Sequence, residues 1–193
     1  MRTIAEQIGN WCHRYSDMTE CELEVVKYGL ELMIGTVIKY ILLLLIGLFC
    51  GKAVEVAIVL TVVAAFRCFA GGVHARTDIG CFGYMSAICA ASVGLAELSL
   101  YLRGVIIPIA GYAWIIYAVC RYAPLQSVKN PIRDNKVIAK KKIYALLTVA
   151  VDLAAFILYP NANRWIYMYP LLIEATTIML TNEKRRRGNE QEA

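Results

Sequence analysis

Six long apolar runs, separated by short clusters of charge, set the pattern of this chain. They fall at Val25 to Leu48, Ala53 to Phe66, Phe82 to Leu102, Val105 to Cys120, Ile143 to Tyr159 and Ile166 to Leu180. Each is near the ~17–25 residues a helix needs to cross hydrocarbon, although the second is short unless it borrows its flanks. The backbone of a spanning segment must satisfy its own hydrogen bonds, so the runs are read as helices. The prediction is an all-α, polytopic helical membrane protein with about six transmembrane helices.

The polar punctuation places the helix starts. Thr3 with Glu6 reads as a capping box, and Ile4, Ile8, Trp11 and Tyr15 then recur at helical spacing, which predicts an interfacial amphipathic helix over residues 1–18. No continuous apolar stretch at this start resembles a cleaved signal peptide. Thr19 with Glu22 is a second capping box, and Glu20, Glu22 and Glu24 suit the positive end of a helix dipole. The helix they open is expected to run to Cys50, where Gly51 stops it. At 1.5 Å per residue that is about 45 Å, longer than the ~30 Å hydrocarbon core, so its acidic first turns stand in the cytoplasm.

Composition agrees with the membrane class: 59% of the 193 residues are hydrophobic and the mean hydropathy is +0.55. Charge then gives the orientation. With the N-terminus inside, sixteen basic residues collect on the cytoplasmic side, against only Lys52, Arg103 and Arg164 outside, with Lys39 inside a span. The positive-inside rule thus puts both termini, the 67–83 connection, the basic 121–142 loop and the 182–193 tail in the cytoplasm. The net charge of +5 reflects topology and attraction to anionic lipid, and no nucleic-acid partner is indicated. The 121–142 loop, with seven basic residues against one acid, is a plain topology signal or a dock for an acidic peptide. Tyr159, Trp165, Tyr167 and Tyr169 are placed as an aromatic belt would be. Glu31, Lys39, Glu55, Glu97, Asp152 and Glu174 lie in or near spans, where ionisable groups line a bundle interior or a subunit contact.

The chemistry concentrates in "RCFAGGVHARTDIGCFGY", Arg67 to Tyr84. A cysteine attacks as its thiolate, so something must favour that form at Cys81. His74 is seven residues away, a separation that a compact turn or two helical turns close to hydrogen-bond distance. Gly71 and Gly72 permit such a turn. Asp78 sits where an N-cap for the third span would be, leaving Cys81 in a first turn whose dipole and free N–H groups favour a thiolate and an oxyanion. Arg67 and Arg76 add positive charge. Each piece also has a plain reading: the cysteine packs, the histidine is solvated, Asp78 is a cap and not a third catalytic member, and the arginines signal topology. Metal, serine and ATP chemistry lack their motifs, since H-E-x-x-H, G-x-S-x-G and a P-loop are absent from the sequence. The seven cysteines contain no C-x-x-C pair, so neither a disulfide framework nor a zinc site is expected.

"KYGLELMIG", "RCFAGGVHARTDIGCFGYMSAI" and "RYAPLQSVKNPI" resemble, in that order over nearly the whole chain, the accessory gene regulator protein B (AgrB-like) family of bacterial membrane cysteine endopeptidases. The family pattern falls on Arg67, Gly71, Gly72, His74 and Cys81. The resemblance implies one integral membrane domain over residues 1–193, in the bacterial plasma membrane with its active site on the cytoplasmic side. It implies a quorum-sensing role: an AgrD-like propeptide as substrate, loss of its acidic C-terminal tail through a thioester, and cyclisation to a thiolactone or lactone. Cys81 would be nucleophile and His74 base, with Arg67, Gly71, Gly72 and Asp78 in support. Arg76, Lys140, Lys141 and Lys142 would bind substrate, and Arg67 with the lysine run would hold the acidic tail. No cofactor or metal is called for. Membrane lipid and a second copy in a homodimer are the other partners. The competing class is a non-catalytic membrane transporter or chaperone of a signalling peptide. The charge asymmetry predicts that a membrane-impermeant thiol reagent, added to intact cells, leaves Cys81 unlabelled; rapid labelling from outside would reverse the orientation.

Overall fold

A computed structural model describes residues 7–8, 11, 19–72, 77–101, 106–125, 134–159 and 163–191. Among them are six long helices and no strand: α1 (Glu20–Phe49), α2 (Ala53–Ala70), α3 (Asp78–Leu98), α4 (Ile106–Tyr122), α5 (Asn135–Leu158) and α6 (Trp165–Gln191). A short 3₁₀ turn, Ser99–Tyr101, follows α3. The chain divides into two units, Met1–Ala53 and Val54–Ala193. In the first, the residues 7–8 and 11 are helical, while Thr3, Glu6 and most of the expected interfacial segment lie outside the described residues.

α1 follows its sequence signals from end to end. Thr19 Oγ1 accepts the Glu22 N–H at 3.4 Å, and Glu22 Oε2 accepts the Thr19 N–H at 2.9 Å, closing the predicted capping box. The helix holds for 30 residues until Cys50 caps it and Gly51 turns at a φ of +69°. By length and composition Glu22–Phe49, Ala53–Ala70 and Asp78–Leu98 are able to cross a membrane, and Ile106–Tyr122 is a shorter apolar helix. α2 reaches Ala70, so the run that looked short does borrow its flank. α5 and α6, at 24 and 27 residues, occupy the last two predicted runs.

The second unit is built around α6. Its contacts give the direction of every neighbour. Asn163, just before α6, donates to Glu55 at 3.4 Å, and Arg67 near the end of α2 pairs with Glu174, so α2 runs parallel to α6. Trp114 Nε1 donates to Thr176 Oγ1 at 3.2 Å and Asn182 Nδ2 to the Tyr122 carbonyl at 3.4 Å, which makes α4 parallel too. α3 is antiparallel, joined through Tyr84 to Thr177 near one end and through Ser99 to Tyr169 near the other. α5 runs antiparallel to α4, with Tyr112 bonded to Asp152 and Lys142 to the Cys120 carbonyl. The ends of α2, α4 and α6 therefore meet the starts of α3 and α5 at one end of the unit.

The interior is mostly apolar, and the outer surface is apolar as well. Val54, Leu98, Ile106, Ile109 and Ile157 are each at least 65% exposed, while Asp152 and Glu174 are buried. Such an outer surface suits hydrocarbon, and the enclosed charges find partners within the bundle. The aromatic cluster departs from a simple belt. Trp165 and Tyr169 stack on each other with centroids 6.1 Å apart and are buried, because the Tyr169 hydroxyl bonds to Ser99 inside. Tyr159, by contrast, is exposed.

Asp152 receives the Tyr112 hydroxyl on Oδ2 at 2.8 Å, while its buried Oδ1 has no hydrogen-bond partner. Asp152 also lines an apolar cavity of about 300 Å³ with Thr61, Ala65, Leu147 and Val151. Tyr112→Phe should cost about 1–3 kcal/mol by stripping that carboxyl of its donor. Adding Asp152→Leu, which has the cavity to occupy, should restore most of the loss; thermal unfolding of the two variants in detergent checks both signs.

Candidate active site

α2 stops at Ala70 because Gly71 takes a φ of +75° while its N–H still donates to the Arg67 carbonyl at 3.1 Å. Space is as limiting as backbone angle here. A Cβ on Gly71 would stand 2.8 Å from the Leu125 carbonyl oxygen, and one on Gly72 would stand 3.0 Å from the Arg67 side chain. The Leu125 N–H donates to the Ala70 carbonyl at 2.9 Å, tying the segment after α4 to the end of α2. The glycine pair thus serves two close approaches as well as a turn. His74 and Arg76 lie outside the described residues.

The start of α3 corrects one expectation. Thr77, with extended backbone at φ −121° and ψ 152°, is the N-cap, its Oγ1 accepting the Gly80 N–H at 3.1 Å; Asp78 is the first helical residue. Threonine and aspartate both cap well, and with threonine in that place the acid falls in the first turn, where the dipole favours it. The Cys81 N–H donates to the Thr77 carbonyl at 3.0 Å. The amides of Gly80 and Cys81 are consequently committed to the helix start and are not free for an oxyanion. The field of the helix N-terminus still reaches Cys81, which is half-buried.

One turn further along α3, an arginine joins three helices. Arg67 Nε and Nη2 donate to Glu174 Oε1 at 3.0 and 2.8 Å, and Glu174 is fully buried. The Arg67 guanidinium also lies over the Tyr84 ring, 5.1 Å from its centroid, and the Tyr84 hydroxyl donates to Thr177 Oγ1 at 3.1 Å. Tyr84 follows Cys81 by three residues and so shares its face of α3. Glu174 stood in the sequence only as one of several ionisable residues in spans, and nothing but the three-residue spacing pointed to Tyr84. Arg67, expected beside the substrate tail, has two of its nitrogens on Glu174.

The lysine run also differs from its expected setting. Lys140, Lys141 and Lys142 are helical, because the Asp134 side chain caps α5 by accepting the Lys136 N–H at 2.8 Å and the helix begins at Asn135. Lys142 reaches the Cys120 carbonyl at the end of α4, where a cation suits the helix dipole. These residues lie at the same end of the unit as Cys81. Among the described residues no three His, Cys, Asp or Glu side chains are grouped to hold a metal ion.

The family model for accessory gene regulator B, AgrB, matches residues 2–180. The chain belongs to the AgrB family. It is similar to a Clostridium perfringens (strain 13 / Type A) protein named AgrB-like protein 2, with 28% identity over 163 residues covering 78% of this chain and 74% of the relative. A second relative, named AgrB-like protein, from Clostridium perfringens (strain SM101 / Type A), is 28% identical over 153 residues, which cover 72% and 69% of the two chains. No solved structure matches the chain.

In this AgrB chain the glycine at the end of α2 offers a direct check on the site's framework. Gly71→Ala should cost about 1–2 kcal/mol from the left-handed backbone alone, and more from the clash with Leu125. Gly51 has a similar φ with open space around it. A lower thermal midpoint for Gly71→Ala than for Gly51→Ala is expected; equal midpoints would mean that the Leu125 contact carries no weight.

Proposed function

We propose that this AgrB family member is a membrane cysteine endopeptidase that removes the C-terminal tail of an AgrD-like quorum-sensing propeptide and promotes closure of the autoinducer ring. The observation that carries the reading is Cys81, half-buried in the first turn of α3 with the dipole of the helix start behind it. Family membership supports the coarser role in autoinducer processing. His74 takes the thiol proton, the thiolate attacks the scissile carbonyl, and the imidazolium returns the proton to the leaving amine. The acyl-enzyme is a thioester. A side-chain thiol or hydroxyl of the same propeptide displaces Cys81 to give a thiolactone or lactone, and exclusion of water keeps hydrolysis from competing.

The topology in this reading is multi-pass, six helices crossing the plasma membrane with both termini inside. The shared end of α2 to α6 then faces the cytoplasm, with Arg76 and Lys140 to Lys142 drawing the acidic tail to the same mouth as Cys81. Two such chains form a homodimer, each with its own thiol. Cys81→Ala and His74→Ala should each abolish cleavage of a co-expressed propeptide, read by mass spectrometry, while the protein still inserts and accumulates. Cleavage that survives Cys81→Ala would leave a transporter or chaperone of the peptide as the reading.

A further inference from the structure

We propose that Glu174 is a positioning residue for the Cys81 thiol, acting through Arg67 and Tyr84; the proposal rests on the reading of Cys81 as nucleophile. Glu174 is fully buried, and it gives one oxygen to two Arg67 nitrogens while its Oε2 has no hydrogen-bond partner. Stability is a poor reason for such a group, since buried ion pairs rarely outdo apolar packing of the same volume. Direction is a better one. Two N–H bonds converging on one oxygen orient the guanidinium, and in that orientation it lies over Tyr84.

The same arginine touches both sides of the connection that carries the chemistry. Gly72, where the chain leaves α2, is packed against the Arg67 stem, and Tyr84, one turn past Cys81, is beneath its head. Tyr84 is also fixed to Thr177, whose own hydroxyl donates to the Glu174 carbonyl at 2.8 Å. Glu174 and Thr177 thus present one face of α6 on which the departure from α2 and the opening turns of α3 are both registered. A displaced guanidinium would move the Cys81 turn relative to Gly72.

The test is the alkylation of individual cysteines by iodoacetamide, followed by peptide mass spectrometry across pH, together with propeptide cleavage kinetics. Cys89, buried on the same helix, reports general loosening, and exposed Cys120 is the reference. In Glu174→Gln, which keeps the size and an acceptor, the Cys81 alkylation profile should shift while Cys89 stays protected. The same change should lower kcat by about tenfold or more, as a small misplacement of a reacting group does. KM should hold within about twofold, because the substrate contacts are untouched. Tyr84→Leu should reproduce the shift, and Tyr84→Phe, which keeps the ring under Arg67 but loses the Thr177 bond, should show a smaller one; this graded pair decides the matter if Glu174→Gln does not fold. A Cys81 profile like that of the unsubstituted protein, or Cys81 and Cys89 rising together, would overturn the proposal. Should Cys81→Ala still cleave, the nucleophile assignment falls, and the alkylation profile alone decides whether Glu174 places this thiol.

Discussion

A carboxylate enclosed in an apolar bundle needs a donor, and the pairing of Glu174 with Arg67 follows from that requirement. The two residues are far apart in sequence, yet their bond aligns α2 with α6 and brings the end of one helix to a fixed height on the other. Breaking such a pair from one side is costed at about 3–5 kcal/mol in buried settings, which is comparable to much of a domain's net stability. The register of α2 against α6 is held at this end by that charged contact, near the buried Phe66 and Ala70, and at the other by the weaker Asn163 to Glu55 bond. Everything that the chain does after Ala70, including the glycine pair and the return into α3, starts from that height.

The other buried carboxyl is handled differently. Asp152 meets the neutral hydroxyl of Tyr112, toward the opposite end of the bundle from Cys81. A neutral donor satisfies one oxygen without bringing a second charge into the interior, and it spans only α4 and α5. The Arg67 contact, by comparison, reaches α2, α3 and α6 at once. The fold thus has a plain tether at one end and a three-helix junction at the other, and the thiol is found at the junction. Each carboxyl has one oxygen paired within the chain and the other buried without a partner, so both are held by the bundle itself.

How much of this was legible in the sequence depended on distance along the chain. The Thr19 capping box, the stop at Gly51 and the run of α1 between them were local signals, and the structure follows them. Residue type favoured Asp78 over Thr77 as N-cap, and the outcome turned instead on which of two adjacent capping residues has the extended backbone. Lys140 to Lys142 were read as loop because prolines and charge precede them; the cap that makes them helical, Asp134, was hidden among basic residues. Arg67 with Glu174 depends on which faces of distant helices meet, and no local periodicity encodes that. Tyr169 points inward for a similar reason, because Ser99 on another element supplies its partner, and Trp165 stacks on it.

A helix start also suits the nucleophile proposed at Cys81 better than a mid-span position does. A cysteine within the apolar part of α3, as Cys89 is, lies among packed side chains where the thiolate would be poorly solvated. Two turns toward the N-terminus, Cys81 is half-buried and sits in the first turn of α3. A free helix start would fray, however, and a nucleophile on a fraying turn would lose the orientation that its reaction requires. The Thr77 cap holds the first turn from the front, and Tyr84, set between Arg67 and Thr177, holds the next turn from behind. Exposure of the thiol and rigidity of its backbone are thereby supplied by different residues, so neither has to be given up for the other.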